Sequence, residues 1–387
     1  MARFTRRQKV FIFLFVIVAS VGITASVLLS PVGPHLRAMS LLLRFSNPNA
    51  TGFAANFANH PFHEEDGSAQ TPHGSLRYRL YIPQDVKNPG GVVLLHGVHH
   101  LSIEDPRMWA LARALASAGV LVMTPELQDL ADYHVTSKTI DVIGDSAVVL
   151  STRLQRTVGV LGLSFAGGLS LLAAKKPEYA PKFGFVLAIG AHDDMSRVAR
   201  FFASNTIQRA DGTETQLNAH EYGVLVLAYS HLEDFFSPQD IPVAREALQQ
   251  WLWEQPDAEK KAAALSPAGK TEFDELLHHR DLLREALLQE IKLHKDEMDL
   301  VSPHGKISSL NMPVYLLHGA GDTVIPATET IWLAKDLPQQ EVKAVLVSPA
   351  LVHVNMEEKI TWQQQWQLMD FMAQVLDATD KLQPLRK

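Results

Sequence analysis

The stretch VGVLGLSFAGG, residues 158–168, places an uninterrupted apolar run ahead of a serine set among small residues. Val158 to Leu163 contain no polar side chain, the pattern of a strand buried on both faces. The segment from Ala166 to Lys176 then takes on helical character. Ser164 thus falls at a sharp turn from strand to helix. Gly162 and Ala166 stand at the two places where a larger side chain would block such a turn. A strict form of the motif has glycine where this chain has Ala166.

Working outward, the same rhythm repeats on both sides. Leu76 to Ile82 alternates as a half-buried strand does, with Leu76, Tyr78, Leu80 and Ile82 on one face. Short apolar runs follow at 91–97, 120–123, 183–190 and 313–319, with another from Val342 to Val347. Between them lie helix-like segments at Arg107 to Ala118, Ser137 to Arg153 and Thr328 to Asp336. Strands alternating with helices predict an α/β fold: a mainly parallel sheet covered by helices on both sides. From His192 to about Met298 the rhythm stops and helical spacing dominates, so residues 191–299 are expected to form a helical cap inserted into a core made of 75–190 and 300–387. Its aromatic residues, among them Phe201, Phe202, Phe235, Phe236, Trp251 and Trp253, read mostly as local packing.

The chain has 387 residues, 47% of them hydrophobic and 20% charged, and no cysteine. Disulfides, thiolate metal sites and a cysteine nucleophile are therefore excluded. A formal charge of −7 argues against a general nucleic-acid-binding surface. From Val10 to Ser30 the sequence is uncharged and about as long as the roughly 20 residues that cross a bilayer. Arg3, Arg6, Arg7 and Lys9 precede it. Residues 1–30 are expected to form a membrane anchor with a cytoplasmic amino terminus and the remainder beyond the membrane; the alternative is a cleaved signal and a secreted product. Residues 31–74 show no clear periodicity and read as a stalk.

Two further residues join Ser164. HGAGDTVIP, residues 318–326, follows a buried strand and puts Asp322 in the loop at its carboxyl end. SPALVH, residues 348–353, does the same for His353 after the next strand. In an open parallel sheet these loops share one edge, where ligands bind. A serine hydroxyl becomes a competent nucleophile when an imidazole removes its proton and a carboxylate orients that imidazole. Asp193 and Asp194, after the strand at 183–190, compete with Asp322 for the acidic role.

With the serine turn GLSFAGG, the His96-Gly97 pair after an early strand, HGAGDTVIP and the late His353, the chain resembles the α/β-hydrolase family over residues 75–190 and 300–378. The resemblance implies Ser164 as nucleophile, His353 as general base and acid, and Asp322 as the orienting carboxylate. The backbone N–H groups of Phe165 and Val98 are the expected oxyanion donors, although Gly97-Val98-His99-His100 lacks the glycine cluster of many esterases. The activity implied is cleavage of carboxylic esters or related acyl compounds through an acyl-enzyme, with no cofactor and no metal. A catalytically idle binding protein and an acyltransferase on the same nucleophile remain as alternatives. His99 and His100 are read as pocket or turn residues rather than metal ligands, and Glu126 as an ion-pair residue at the sheet edge.

Overall fold

A computed structural model describes residues 32–256, 258–279, 281–352, 355–356 and 361–385. Twelve strands are present among them: β1 (Phe62–Thr71), β2 (Gly74–Pro83), β3 (Gly91–Leu95), β4 (Leu121–Pro125), β5 (Val158–Leu163), β6 (Phe183–Ile189), β7 (Thr206–Gln208), β8 (Glu214–Gln216), β9 (Val314–Gly319), β10 (Val342–Ser348), β11 (Leu351–Val352) and β12 (Asn355–Met356). The longer helices are α1 (Val32–Ser46), α2 (Pro106–Ser117), α3 (Ser137–Leu154), α4 (Phe165–Lys175), α5 (Met195–Ser204), α6 (Tyr222–Ser230), α7 (Ile241–Leu252), α8 (Pro267–His278), α9 (Arg284–Leu293), α10 (Thr328–Asp336) and α11 (Trp362–Asp380).

Eight strands make one sheet in the order β1-β2-β4-β3-β5-β6-β9-β10. β1 and β2 pair antiparallel, as do β2 and β4, whereas β4, β3, β5, β6, β9 and β10 run parallel. Alternation within a strand divides the core into two layers. Val93 and Leu95 face the side covered by α3 and α4, and Val92 and Leu94 face the side covered by α1, α2 and α11. Every residue of β3, β4, β5 and β9 is buried, which is why these strands read as continuous apolar runs. Because the central strands are parallel, the loops after β3, β5, β6, β9 and β10 open on one edge.

The insertion between β6 and β9 is helical, α5 to α9 with the small β7–β8 hairpin. Phe201, Phe202 and Phe236 are buried in the core it shares with the sheet, as the packing reading anticipates.

The stretch expected to be a stalk is instead part of the fold. α1 buries Ala38 and Leu41 with α2 and α11, and His35 Nε2 lies 2.9 Å from Asp370 Oδ1 of α11. β1 adds an edge strand, whose Glu64, Glu65 and Asp66 pair with Arg113, Arg153 and Arg79. Charges on an edge strand discourage pairing with other chains, and they hide the strand from any test based on apolar alternation. Among the described residues no helix is long and apolar enough to cross a membrane. The apolar run from Val10 to Ser30, and with it the expected anchor, lies outside the described residues.

Candidate active site

Ser164 separates β5 from α4 with φ 55° and ψ −132°, a conformation few non-glycine residues adopt. Holding a residue there costs of order 1–3 kcal/mol, so the surroundings must enforce it. They do so through the backbone. The Ser164 N–H donates to Ile189 O at the end of β6 (2.7 Å), and its carbonyl accepts from Gly167 N (2.9 Å). A Cβ at Gly162 would lie 2.6 Å from Ala166 O and from Gly167 Cα, which explains the glycine two residues before the serine. Phe165 is the first residue of α4. Its N–H is among those that a helix start leaves without an intrahelical acceptor, and the helix dipole there favours negative charge.

The loop after β3 runs against this turn. A Cβ at Gly97 would stand 3.0 Å from Ser164 Cβ and 3.6 Å from Ser164 Oγ. Gly97 O accepts from Nδ1 of buried His96 (2.7 Å), while His96 Nε2 accepts from Leu127 N (3.0 Å) and lies 2.9 Å from Ser102 Oγ. This set fixes the neutral tautomer with the proton on Nδ1. Burial pushes the His96 pKa down to about 4, so the ring stays uncharged. Since Gly97 O and Val98 N–H belong to one planar trans peptide and point in opposite directions, turning the carbonyl toward His96 aims the N–H away from it. His96 is thus a positioning residue for the peptide expected to supply an oxyanion donor. His99 and His100 stack on one another, and His100 stacks on Trp253 of the insertion, in keeping with pocket or turn residues. Glu126 pairs with Arg77 at 3.6 Å.

Asp322 is buried in the loop after β9. Its Oδ1 accepts from the N–H groups of Val324 (2.8 Å) and Ile325 (3.0 Å), and its Oδ2 lies 3.6 Å from His318 Nε2. The same Oδ2 lies 3.5 Å from the point where Gly190 would carry a Cβ. Ser164 and Asp322 therefore flank the Ile189-Gly190 end of β6, one held by its carbonyl and the other beside its open glycine. His353 lies outside the described residues. Its neighbourhood is described on both sides: β11 pairs antiparallel with β12, and Leu351 lines a small apolar cavity with Ile189 and Leu317 at the same strand ends.

The competing acids are engaged elsewhere. Asp194 caps α5 by accepting from Arg197 N (3.1 Å). Asp193 is fully buried, with Arg197 Nη2 2.8 Å from its Oδ2 and Arg197 Nε 2.5 Å from Glu329 Oε1.

Sequence reading missed what the insertion contributes. Tyr222, the first residue of α6, donates its hydroxyl to Val98 O (3.0 Å), and two residues earlier His220 N–H donates to Thr323 O in the acid loop (2.9 Å). One short segment of the cap thus holds both loops that flank Ser164. Nothing in the local sequence marks Tyr222, because its partner is 124 residues away.

No family profile matches the chain, and neither does any curated protein. Solved structures do resemble it. An esterase from Pyrobaculum calidifontis is 14% identical with a TM-score of 0.45, over 89% of this chain and 90% of that one. Brefeldin A esterase, a bacterial protein, is 12% identical with a TM-score of 0.46, over 89% of this chain and 86% of its own. Acylaminoacyl peptidase from Pyrococcus horikoshii is 11% identical with a TM-score of 0.48, and this chain spans only 42% of its length. At such identities the likeness concerns the fold. The chain's own sheet is of the expected α/β class, mainly parallel, eight-stranded and flanked by helices.

Proposed function

We propose that the protein is a serine hydrolase that cleaves carboxylic esters or related acyl compounds through an acyl-enzyme on Ser164. The observation that carries this reading is the strained turn at Ser164, enforced by Gly162 and packed against the Gly97-Val98 peptide. A backbone strained at one hydroxyl-bearing residue, at the start of a helix and beside a second loop, suits a nucleophile whose oxyanion is received by main-chain N–H groups.

In this mechanism the Ser164 Oγ adds to the acyl carbon while its proton passes to the imidazole of His353. Asp322 orients that imidazole and stabilises its cation. The N–H groups of Phe165 and Val98 receive the negative oxygen. Collapse of the tetrahedral intermediate breaks the bond to the leaving group, which takes the proton from the imidazolium. Water then repeats the sequence on the acyl-enzyme, releasing the acid and restoring the hydroxyl. No step calls for a cofactor. The position of Leu351, two residues before His353 and packed with Ile189 and Leu317, supports assigning the base to that loop.

The substrate is an acyl compound reached from a membrane surface. This part of the proposal rests on the uncharged run from Val10 to Ser30, immediately before α1, which would anchor the chain with its bulk outside the cytoplasm. Exposed Trp362 and Trp366 of α11 line an apolar groove with Val32, Leu36 and Leu43 of α1 at that end of the fold, and tryptophans of this kind favour the membrane–water interface.

Labelling with a fluorophosphonate probe tests the nucleophile. Wild-type protein is expected to label and to hydrolyse nitrophenyl esters, and Ser164→Ala to do neither while keeping its melting temperature. Labelling that persists in Ser164→Ala, or a wild type inert to both probe and esters, would overturn the assignment.

A further inference from the structure

The helical insertion holds a second group of titratable side chains, separate from the strand edge. His231 and Asp234 lie three residues apart just past the end of α6, and Glu290 and His294 lie four apart on one face of α9 and its cap. One nitrogen or oxygen from each of the four lies within 4.8 Å of all the others. His294 Nε2 is 2.7 Å from Asp234 Oδ2 and 3.3 Å from Glu290 Oε1, and the rings of His231 and His294 stack with centroids 3.5 Å apart.

Glu290 decides the reading. Its side chain is 2% exposed, and its Oε1 has no hydrogen-bond partner among the described residues although it points between the two imidazoles, 4.0 Å from His231 Nδ1. A buried carboxyl oxygen that makes no hydrogen bond is unfavourable. A cation among these groups would supply what Oε1 lacks. Asp193, His304 and Asp336 also cluster, and Asp193 Oδ1 likewise makes no hydrogen bond, but there the Arg197 guanidinium, 2.8 Å from Asp193 Oδ2, already supplies a cation.

We propose that His231, Asp234, Glu290 and His294 bind a divalent transition-metal ion of the zinc class, joining the end of α6 to α9. Two imidazole nitrogens and two carboxylate oxygens form a four-ligand set suited to tetrahedral zinc, whereas calcium takes six to eight oxygens and magnesium an octahedral oxygen shell. The two carboxylates balance the charge of the ion. Glu297 lies 3.7 Å from His294 Nδ1 and 4.0 Å from His231 Nε2, where an outer carboxylate orients ligating histidines. With four protein ligands the site is structural. Its effect reaches further, because α6 begins with Tyr222, whose hydroxyl holds Val98 O. Metal at one end of that helix would steady the loop at the other. The inference is independent of Ser164 chemistry.

The test uses the full chain in detergent, stripped with a chelator, incubated with zinc or cobalt(II) and desalted. Wild type is expected to retain about one zinc per chain, to show the visible ligand-field absorption of tetrahedral cobalt(II), and to melt roughly 5 °C higher with zinc in large excess over its Kd. Glu290→Gln, which keeps the side-chain volume, and His231→Ala are each expected to lose the retained metal and the thermal shift. Wild type that retains less than about a tenth of an equivalent, or that shows no tetrahedral cobalt spectrum, would overturn the proposal whether or not the variants fold. Metal retained undiminished by both variants would overturn it as well.

Discussion

Two acidic loops stand side by side at the edge where β6 and β9 end, and they have opposite characters. Asp322, after β9, is held by the N–H groups of Val324 and Ile325, with its second oxygen toward Gly190. Asp193, after β6, is enclosed by Arg197, which also binds Glu329, and by His304 at 3.1 Å. Both carboxylates are buried and both follow a buried strand. The difference lies in the partners. Asp322, the acid proposed to orient the base, has its charge stabilised by backbone donors, whereas Asp193 is paired with a guanidinium. Position after a strand nominates an acid, and its ion-pair partners decide whether it serves chemistry.

The widest separation between the two loops should appear in turnover. Asp322→Asn is expected to lower kcat by about 10⁴-fold, since an amide cannot hold the base in the required tautomer or stabilise its cation. Asp193→Asn should leave kcat per folded molecule within about threefold. Ester hydrolysis, normalised to the fraction of folded protein, checks both. If Asp193→Asn suffers the larger loss, the acid belongs to β6 and the comparison is reversed.

The next effect is on stability. Two carboxylates, Asp193 and Glu329, share one arginine in a buried site, and burial raises the Asp193 pKa to about 7 despite Arg197. With the folded value above the unfolded one, the folded state binds more protons between about pH 4 and 7, and stability falls as pH rises through that window. His96 acts in the opposite sense: its lowered pKa adds stability as pH rises from about 4 toward 6.5. The wild-type melting curve therefore mixes these two with the other shifted groups, among them His192 and Glu290. The difference between Asp193→Asn and wild type isolates the first, because the amide does not titrate and His96 is common to both. From pH 5 to pH 8 the variant should gain on wild type by roughly 5 °C in relative melting temperature. A difference independent of pH would mean that Arg197 keeps Asp193 ionised throughout.

What could be read from sequence follows the range of the interactions involved. Gly162, Ser164 and the strand before them form a local unit, and the space that Gly162 leaves for Ala166 O is filled from four residues away. The place of Asp322 in the loop after β9 was legible because that loop directly follows the strand's apolar run, and the sheet and its helical insertion were legible from the change of period. α1 was not, because its apolar stretch from Leu36 to Phe45 finds its partner in α11, more than three hundred residues later. β1 was not, because its surface is charged where an interior strand would be apolar. The cluster of His231, Asp234, Glu290 and His294 escaped for a similar reason: two short pairs, each ordinary alone, meet only once α6 and α9 are packed. His353 lies outside the described residues, so its part rests on its place in the chain and on its neighbours.

The smallest effect concerns how the cap supports the edge. Tyr222→Phe removes one hydroxyl and leaves Val98 O without that donor, at about 1 kcal/mol in stability for a buried hydrogen bond. Because the Val98 N–H and C=O belong to successive peptides, loosening the carbonyl frees the N–H expected at the oxyanion. We expect kcat/KM for ester hydrolysis and the rate of fluorophosphonate labelling to fall together, by roughly tenfold, less than the about 10²–10³-fold loss that follows deletion of a whole oxyanion donor. A parallel fall means that the insertion shapes the reaction through the backbone of the 97–98 loop. If the melting temperature drops while both rates hold, His96 suffices to aim that peptide, and the contact from Tyr222 to Val98 serves only to fasten the cap.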